Sequence, residues 1–186
     1  SVRLFNSLNL SMTIISNGGF LPTNNLNQIF LKENYIILAF VLLIPTLNIF
    51  LLFNLYDRKK IINHHQEDLF LIIFISILSF IMFYTLENTK ISEIVINIIS
   101  SISNSGLTFT KSSDETILFI FLCVVGGSLI SNSSGIKFTR MYVLIKTASA
   151  EILKLVRPNN VFNNTIFYSD RKIDNQVVNL SFLIFI

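Results

Sequence analysis

The residues best suited to chemistry in this chain are two short runs of Asn, Gly and Ser whose backbone oxygens could replace water around a desolvated cation. The first, Asn17, Gly18 and Gly19, lies within Ile15-Ser16-Asn17-Gly18-Gly19-Phe20-Leu21-Pro22-Thr23. The second, Asn104, Ser105 and Gly106, lies within Ile102-Ser103-Asn104-Ser105-Gly106-Leu107-Thr108-Phe109-Thr110. Ile, Ser, Asn, Gly and Thr recur in register, and an apolar residue follows the shared Gly in both. Glycine lets a backbone turn its carbonyls where a side chain would forbid it. Inward-facing carbonyls that substitute for a hydration shell are how a pore selects among alkali cations. No ring of Asp or Glu accompanies either run, which argues for carbonyl rather than carboxylate coordination.

Such loops need elements that hold them inside a bilayer, and the flanking sequence provides them. Phe5 to Ile15 is long enough for about 16 Å of helix, roughly half a membrane. Gly18, Gly19 and Pro22 stop it. Ile91 to Ile102 makes a second half-length helix before the second loop. A helix aimed at each loop places the negative end of its dipole near a bound cation. Long apolar runs follow: Tyr35 to Tyr56 and Thr116 to Ile136 are uncharged, as is Leu69 to Leu86, the run that precedes the second half-length helix. Each is long enough to cross a hydrocarbon core of roughly 30 Å. Pro45 and Asn48 predict a kink in the first run. The last run instead predicts a broken helix, because Gly126, Gly127, Ser128, Ser131, Asn132, Ser133, Ser134 and Gly135 interrupt it. Polar, open backbone at that depth is tolerated only against protein or a water-filled cavity. Lys137 and Arg140 follow, and a charge there needs a cavity or a route to the interface.

Composition agrees. The chain has 186 residues, 52% hydrophobic and 13% charged, with a mean hydropathy of +0.64; these values lie outside the soluble globular range. A net charge of +3 gives no reason to expect nucleic acid. Arg58, Lys59 and Lys60, then Lys146, Lys154, Arg157, Arg171 and Lys172, predict cytoplasmic segments at 57–68 and 146–173, with the glycine loops opening outside. A surface helix is expected over Ser149 to Leu155. The lone Cys123 cannot build a disulfide framework. His64 and His65 beside Glu67 and Asp68 are expected to be solvated rather than metal ligands. Gly135-Ile136-Lys137 lacks the Gly-Lys-Ser/Thr pattern of a phosphate loop, and no arrangement for nucleophilic catalysis emerges, so an enzyme is not expected.

These motifs together resemble the TrkH/KtrB potassium transporters. Ser16 to Phe20 with Pro22-Thr23-Asn24 looks like that family's second pore loop, and Ser103 to Leu107 looks like its third. Gly126-Gly127-Ser128, Ser131, Gly135-Ile136-Lys137 and Arg140 are similar to its glycine-rich signature after the third loop. Glu67-Asp68 falls where the family carries acidic residues. Asn17 and Asn104 stand where its loops often have Thr, and Leu107 where they often have Phe.

The resemblance implies an all-α membrane protein of repeated helix, pore loop, helix units, with this sequence an internal stretch of a longer chain. The units would be 1–56, a cytoplasmic loop at 57–67, a complete repeat at 68–150, a cytoplasmic segment at 151–173 and the start of another helix at 174–186. Asn17, Gly18, Gly19, Asn104, Ser105 and Gly106 would line a K+ filter. Gly126, Gly127, Ser128, Ser131, Asn132, Ser133, Ser134, Gly135, Lys137 and Arg140 would form a gate. The resemblance further implies K+ as cargo with no tightly bound cofactor, a multi-pass place in a bacterial inner membrane, lipid contact, a homodimer, and a TrkA/KtrA-like nucleotide-binding regulatory partner. Two other classes compete: a secondary transporter with discontinuous helices, and a structural subunit of a membrane complex. The former usually lacks matched half-length helices, and the latter does not require a repeated loop.

Overall fold

The computed structural model describes residues 2–20, 34–56, 65–85, 90–107, 116–156, 165–167 and 173–183. Eight α-helices form among them, and no strand. They are α1 (Val2–Ser16), α2 (Tyr35–Leu43), α3 (Ile49–Tyr56), α4 (Gln66–Thr85), α5 (Ile91–Ser103), α6 (Thr116–Val125), α7 (Phe138–Val156) and α8 (Asn175–Leu183). Of the basic residues that set the expected orientation, Arg58, Lys59, Lys60, Arg157, Arg171 and Lys172 lie outside the described residues. So does Pro22-Thr23-Asn24.

The centre of the molecule is a short helix. Along α5, Ile94, Ile96, Ile98, Ile99 and Ile102 are buried, and so are Asn97, Ser100, Ser101 and Ser103. From Ile96 to Ser103 polar and apolar residues alike are buried, so this part of the helix has no solvent-facing stripe. Its small hydroxyl residues let neighbours approach closely, which is how helices associate in lipid. Their hydroxyls are satisfied locally: Ser101 Oγ donates to Asn97 O (2.8 Å) and Ser103 Oγ to Ser100 O (3.1 Å). Helices α2, α4 and α6 pack around α5, contributing Leu38, Leu42, Leu71, Ile75 and Leu122 to one core. The outer face of α4 keeps Ile73, Ile77 and Phe80 exposed, as a lipid-facing surface would. Among the described residues, α4 alone is an unbroken helix long and apolar enough to cross a membrane.

The run 35–56 is more than kinked. Helix α2 ends in a 3-10 turn, Ile44–Thr46, and Leu47 is extended (φ −84°, ψ 165°) before α3 begins. Pro45 removes one backbone donor and clashes with the preceding turn. The side chain of Asn48 accepts from Phe50 N–H (3.0 Å) and caps the new helix. The third apolar run breaks as expected after Val125. The surface helix expected over 149–155 is instead the end of the 19-residue α7, because nothing in Phe138 to Val156 is Gly or Pro.

His65 also departs from expectation. It is 7% exposed, with Nδ1 3.3 Å from Asp68 Oδ2 and Nε2 2.8 Å from Asn54 Nδ2. This polar chain ties α3 to the start of α4. At the same level Phe167 stacks on Tyr142 (4.3 Å between centroids) and Phe70 (5.0 Å), and Lys146 Nζ donates to Thr165 O (2.5 Å).

Candidate functional site

The two glycine loops adopt the same backbone. Asn17 and Asn104, the residues that end α1 and α5, are both left-handed, at φ 54° and 60°. Gly19 and Gly106 are left-handed again, at φ 71° and 69°. The intervening Gly18 and Ser105 are not. Each loop starts with the same closure: Gly18 N–H donates to Thr13 O and Ser105 N–H to Ser100 O, both at 3.1 Å. Asn tolerates the left-handed region better than other side chains do, and the repeated Asn-x-Gly spacing follows from that requirement. The loops also touch. A Cβ on Gly19 would stand 2.9 Å from Ser105 O, and one on Gly106 3.9 Å from Gly19 Cα. Of the six residues expected to line a filter, Gly19, Ser105 and Gly106 are thus brought together.

Their side-chain anchors differ. Asn104 Nδ2 donates to Cys123 O in the last turn of α6 (3.1 Å). Both amide atoms of Asn17 are buried without a partner among the described residues. Thr13 Oγ1 donates to Phe20 O (2.6 Å), while its counterpart Ser100 shares a hydroxyl contact with Ser105 (3.0 Å).

The residues expected to form a gate, all but Arg140, fold into one irregular loop, 126–137, seated on the break between α2 and α3. Ser128 N–H donates to Thr46 O (3.0 Å), Asn132 N–H to Pro45 O (3.1 Å), and Ile49 N–H to Ile130 O (3.0 Å). Each broken helix therefore satisfies the backbone groups that the other leaves open, as a low-dielectric interior demands. Within the loop, Gly127 N–H donates to Ser133 Oγ (2.9 Å) and Ser131 Oγ to Ser128 O (2.7 Å). The Lys137 ammonium folds back onto Ser131 O (3.1 Å), Ser131 Oγ (3.2 Å) and Ser133 O. It is held by carbonyls rather than by a carboxylate. Arg140 sits half-buried in the first turn of α7. Gly126 is left-handed, and a Cβ there would run into Ser134 O.

Two links join this loop to the glycine loops. Asn132 Nδ2 donates to Ile15 O, the penultimate carbonyl of α1 (3.1 Å). A cavity of about 450 Å³ opens between Asn104, Cys123 and the stretch Ser134 to Ile136.

Sequence reasoning missed what steadies both breaks. Asp68, 1% exposed, accepts from Asn48 N–H (2.9 Å), and Glu67 accepts from Leu129 N–H (2.6 Å). Two adjacent carboxylates at the mouth of α4 thus cap two different broken helices. The signal was there: paired acids opening an otherwise uncharged 18-residue run. Among the described residues no three His, Cys, Asp or Glu gather as a metal site.

Half-length helices that end in paired loops, beside a broken helix, define the fold, and it is the fold of a solved membrane protein. The particular likeness is to the potassium transporter TrkH from Vibrio parahaemolyticus, with a TM-score of 0.84 and 20% identity over 97% of this chain and 42% of that one. The all-α membrane fold of TrkH, expected from the loop motifs, is therefore present. A protein of Methanocaldococcus jannaschii described as an uncharacterized cation transporter is 24% identical over 99% of this chain. No protein-family profile matches. The chain spans 39% of the archaeal relative and 42% of TrkH. Both are transporters, not enzymes.

Proposed function

We propose that this chain forms two quadrants of the ion pathway of a potassium uptake protein, with loops 17–20 and 104–107 as filter and loop 126–137 as gate. The observation that carries the reading is the shared backbone of the two loops, left-handed at the same two positions and in contact. Left-handed residues on either side of one that is not give both loops a single backbone trace, and its carbonyls are the groups that would replace water around K+. Helices α1 and α5 point their C-terminal dipole ends at that place. The cavity between Asn104 and Ser134 to Ile136 lies between the filter and gate of this reading. An inside-negative potential drives entry with about 2.3 kcal/mol per charge for each 100 mV.

The TrkH and cation-transporter likenesses support the same cargo class. In this reading the protein sits, multi-pass, in the bacterial inner membrane, works as a homodimer, and docks a TrkA/KtrA-like nucleotide-binding subunit on the face that carries 57–68 and 146–173. The test uses the full-length gene in a strain lacking its potassium uptake systems. Growth at low potassium and rubidium uptake are expected, and both should fall with Gly19→Ser and Gly106→Ser. Unchanged uptake in both variants would show that the filter lies elsewhere.

A further inference from the structure

We propose that the groove between α2 and α5 is a binding site for one anionic phospholipid, its acyl chain in the groove and its headgroup on Lys90. The groove encloses about 670 Å³ and is lined by Ile36, Phe40, Phe83, Val95 and Ile99, with Lys90 at its rim. That volume lies within the roughly 300–1,000 Å³ typical of ligand pockets. Its walls are almost wholly hydrocarbon, so the ligand portion inside must be a hydrocarbon chain too.

The charge at the rim decides which lipid. Lys90 is the exposed residue before the first turn of α5, and α5 runs from it to the glycine loop, a length of about 20 Å. With the loop held inside a core roughly 30 Å thick, Lys90 reaches headgroup level. Among the described residues no carboxylate pairs with it. Glu93, one turn further along, is not among the groove residues. An ammonium over an apolar slot selects a negatively charged headgroup over a zwitterionic one.

The site also has a consequence for transport, which rests on the filter assignment above. Val95 and Ile99 belong to the helix that leads into Ser105 and Gly106, so a chain wedged against α2 would buttress that helix.

The experiment uses the full-length protein purified in mild detergent, with phosphatidylglycerol and phosphatidylcholine as probes. Native mass spectrometry should show one tightly retained phosphatidylglycerol. Lys90→Gln should weaken its retention about fivefold, the worth of one cation near an anionic surface, while leaving phosphatidylcholine unaffected; Lys90→Arg should restore it. Val95→Phe or Ile36→Trp, which fill the slot, should abolish retention of both lipids. A photoreactive phosphatidylglycerol analogue should label peptides spanning Ile36 to Phe40. Labelling confined to other helices, or retention that none of these variants alters, would overturn the site and show the groove covered by another part of the protein. Rubidium uptake is scored separately: lost lipid with intact uptake keeps the lipid site and refutes the buttress, whereas failure of the filter variants leaves the lipid readouts untouched.

Discussion

At Asn17 and Asn104 the chain makes the same turn in different company. Around Asn104 the setting is closed: α5 is buried along most of its length, Ser105 and Leu107 are fully buried, and the Asn amide bonds Cys123 O. Around Asn17 the described residues cover less of the neighbouring helix. Leu4, Phe5, Leu8, Met12 and Ile15 on α1 stay at least 60% exposed, Phe20 is 80% exposed, and the Asn amide lacks a partner among the described residues. The loop shape is therefore the same with and without the α5-type packing of described residues around it. It is written locally, in an Asn that accepts the left-handed region and a Gly two residues on. Enclosure adds rigidity to one copy.

Substitutions can sharpen or break this contrast. The largest effect is expected at Gly19. Gly19→Ala brings left-handed strain of about 1–3 kcal/mol together with the contact on Ser105 O, and should lower rubidium uptake by roughly tenfold or more. Gly106→Ala brings only the backbone strain, about 1–2 kcal/mol, since its Cβ has room, and should cost less uptake. Equal losses would mean that the loops do not touch in the working protein.

Next is Asn132→Ala, which cuts the tie to Ile15 O in the first copy and has no counterpart in the second. A loss of about 1 kcal/mol should appear as raised basal rubidium leak, with the filter's ion preference unchanged. A smaller effect separates the two Asn residues. Asn104→Ala should lower the melting temperature in detergent by removing a bond worth about 1 kcal/mol, whereas Asn17→Ala should lower it less, as no described bond is lost. The smallest is Gly18→Ser. Its φ is not left-handed, and the nearest atoms to a Cβ are side-chain atoms, Ser16 Oγ at 3.1 Å and the Phe20 ring at 3.4 Å. The second loop already carries Ser105 at this position, so uptake near wild type is expected.

What could be read from the sequence follows the same division. The loops were legible because a left-handed residue admits few side chains, so the geometry leaves its mark in residue type. The break after Val125 was legible because eight Gly, Ser and Asn crowd ten positions. The break at Leu47 was only half legible: Pro45 announced a bend, but the extended residue depends on the 126–137 loop lying across it. The carboxylates stood out as paired acids before an uncharged run, but not their partners, since Asp68 meets Asn48 and Glu67 meets Leu129 only through the fold. His65 was misjudged for the same reason, because Asn54 and Asp68 close over it from two helices.

The cross-bonding of the two broken helices has one more implication. If the 126–137 loop lifts, Thr46 and Pro45 lose their donors and Ile49 its acceptor, all at once and inside a membrane. Partial displacement is the worst arrangement, with polar groups bared and no solvent yet admitted. Movement should accordingly be all-or-none and wait on water flooding the gap, so that osmotic agents which withdraw water would lengthen the shut intervals.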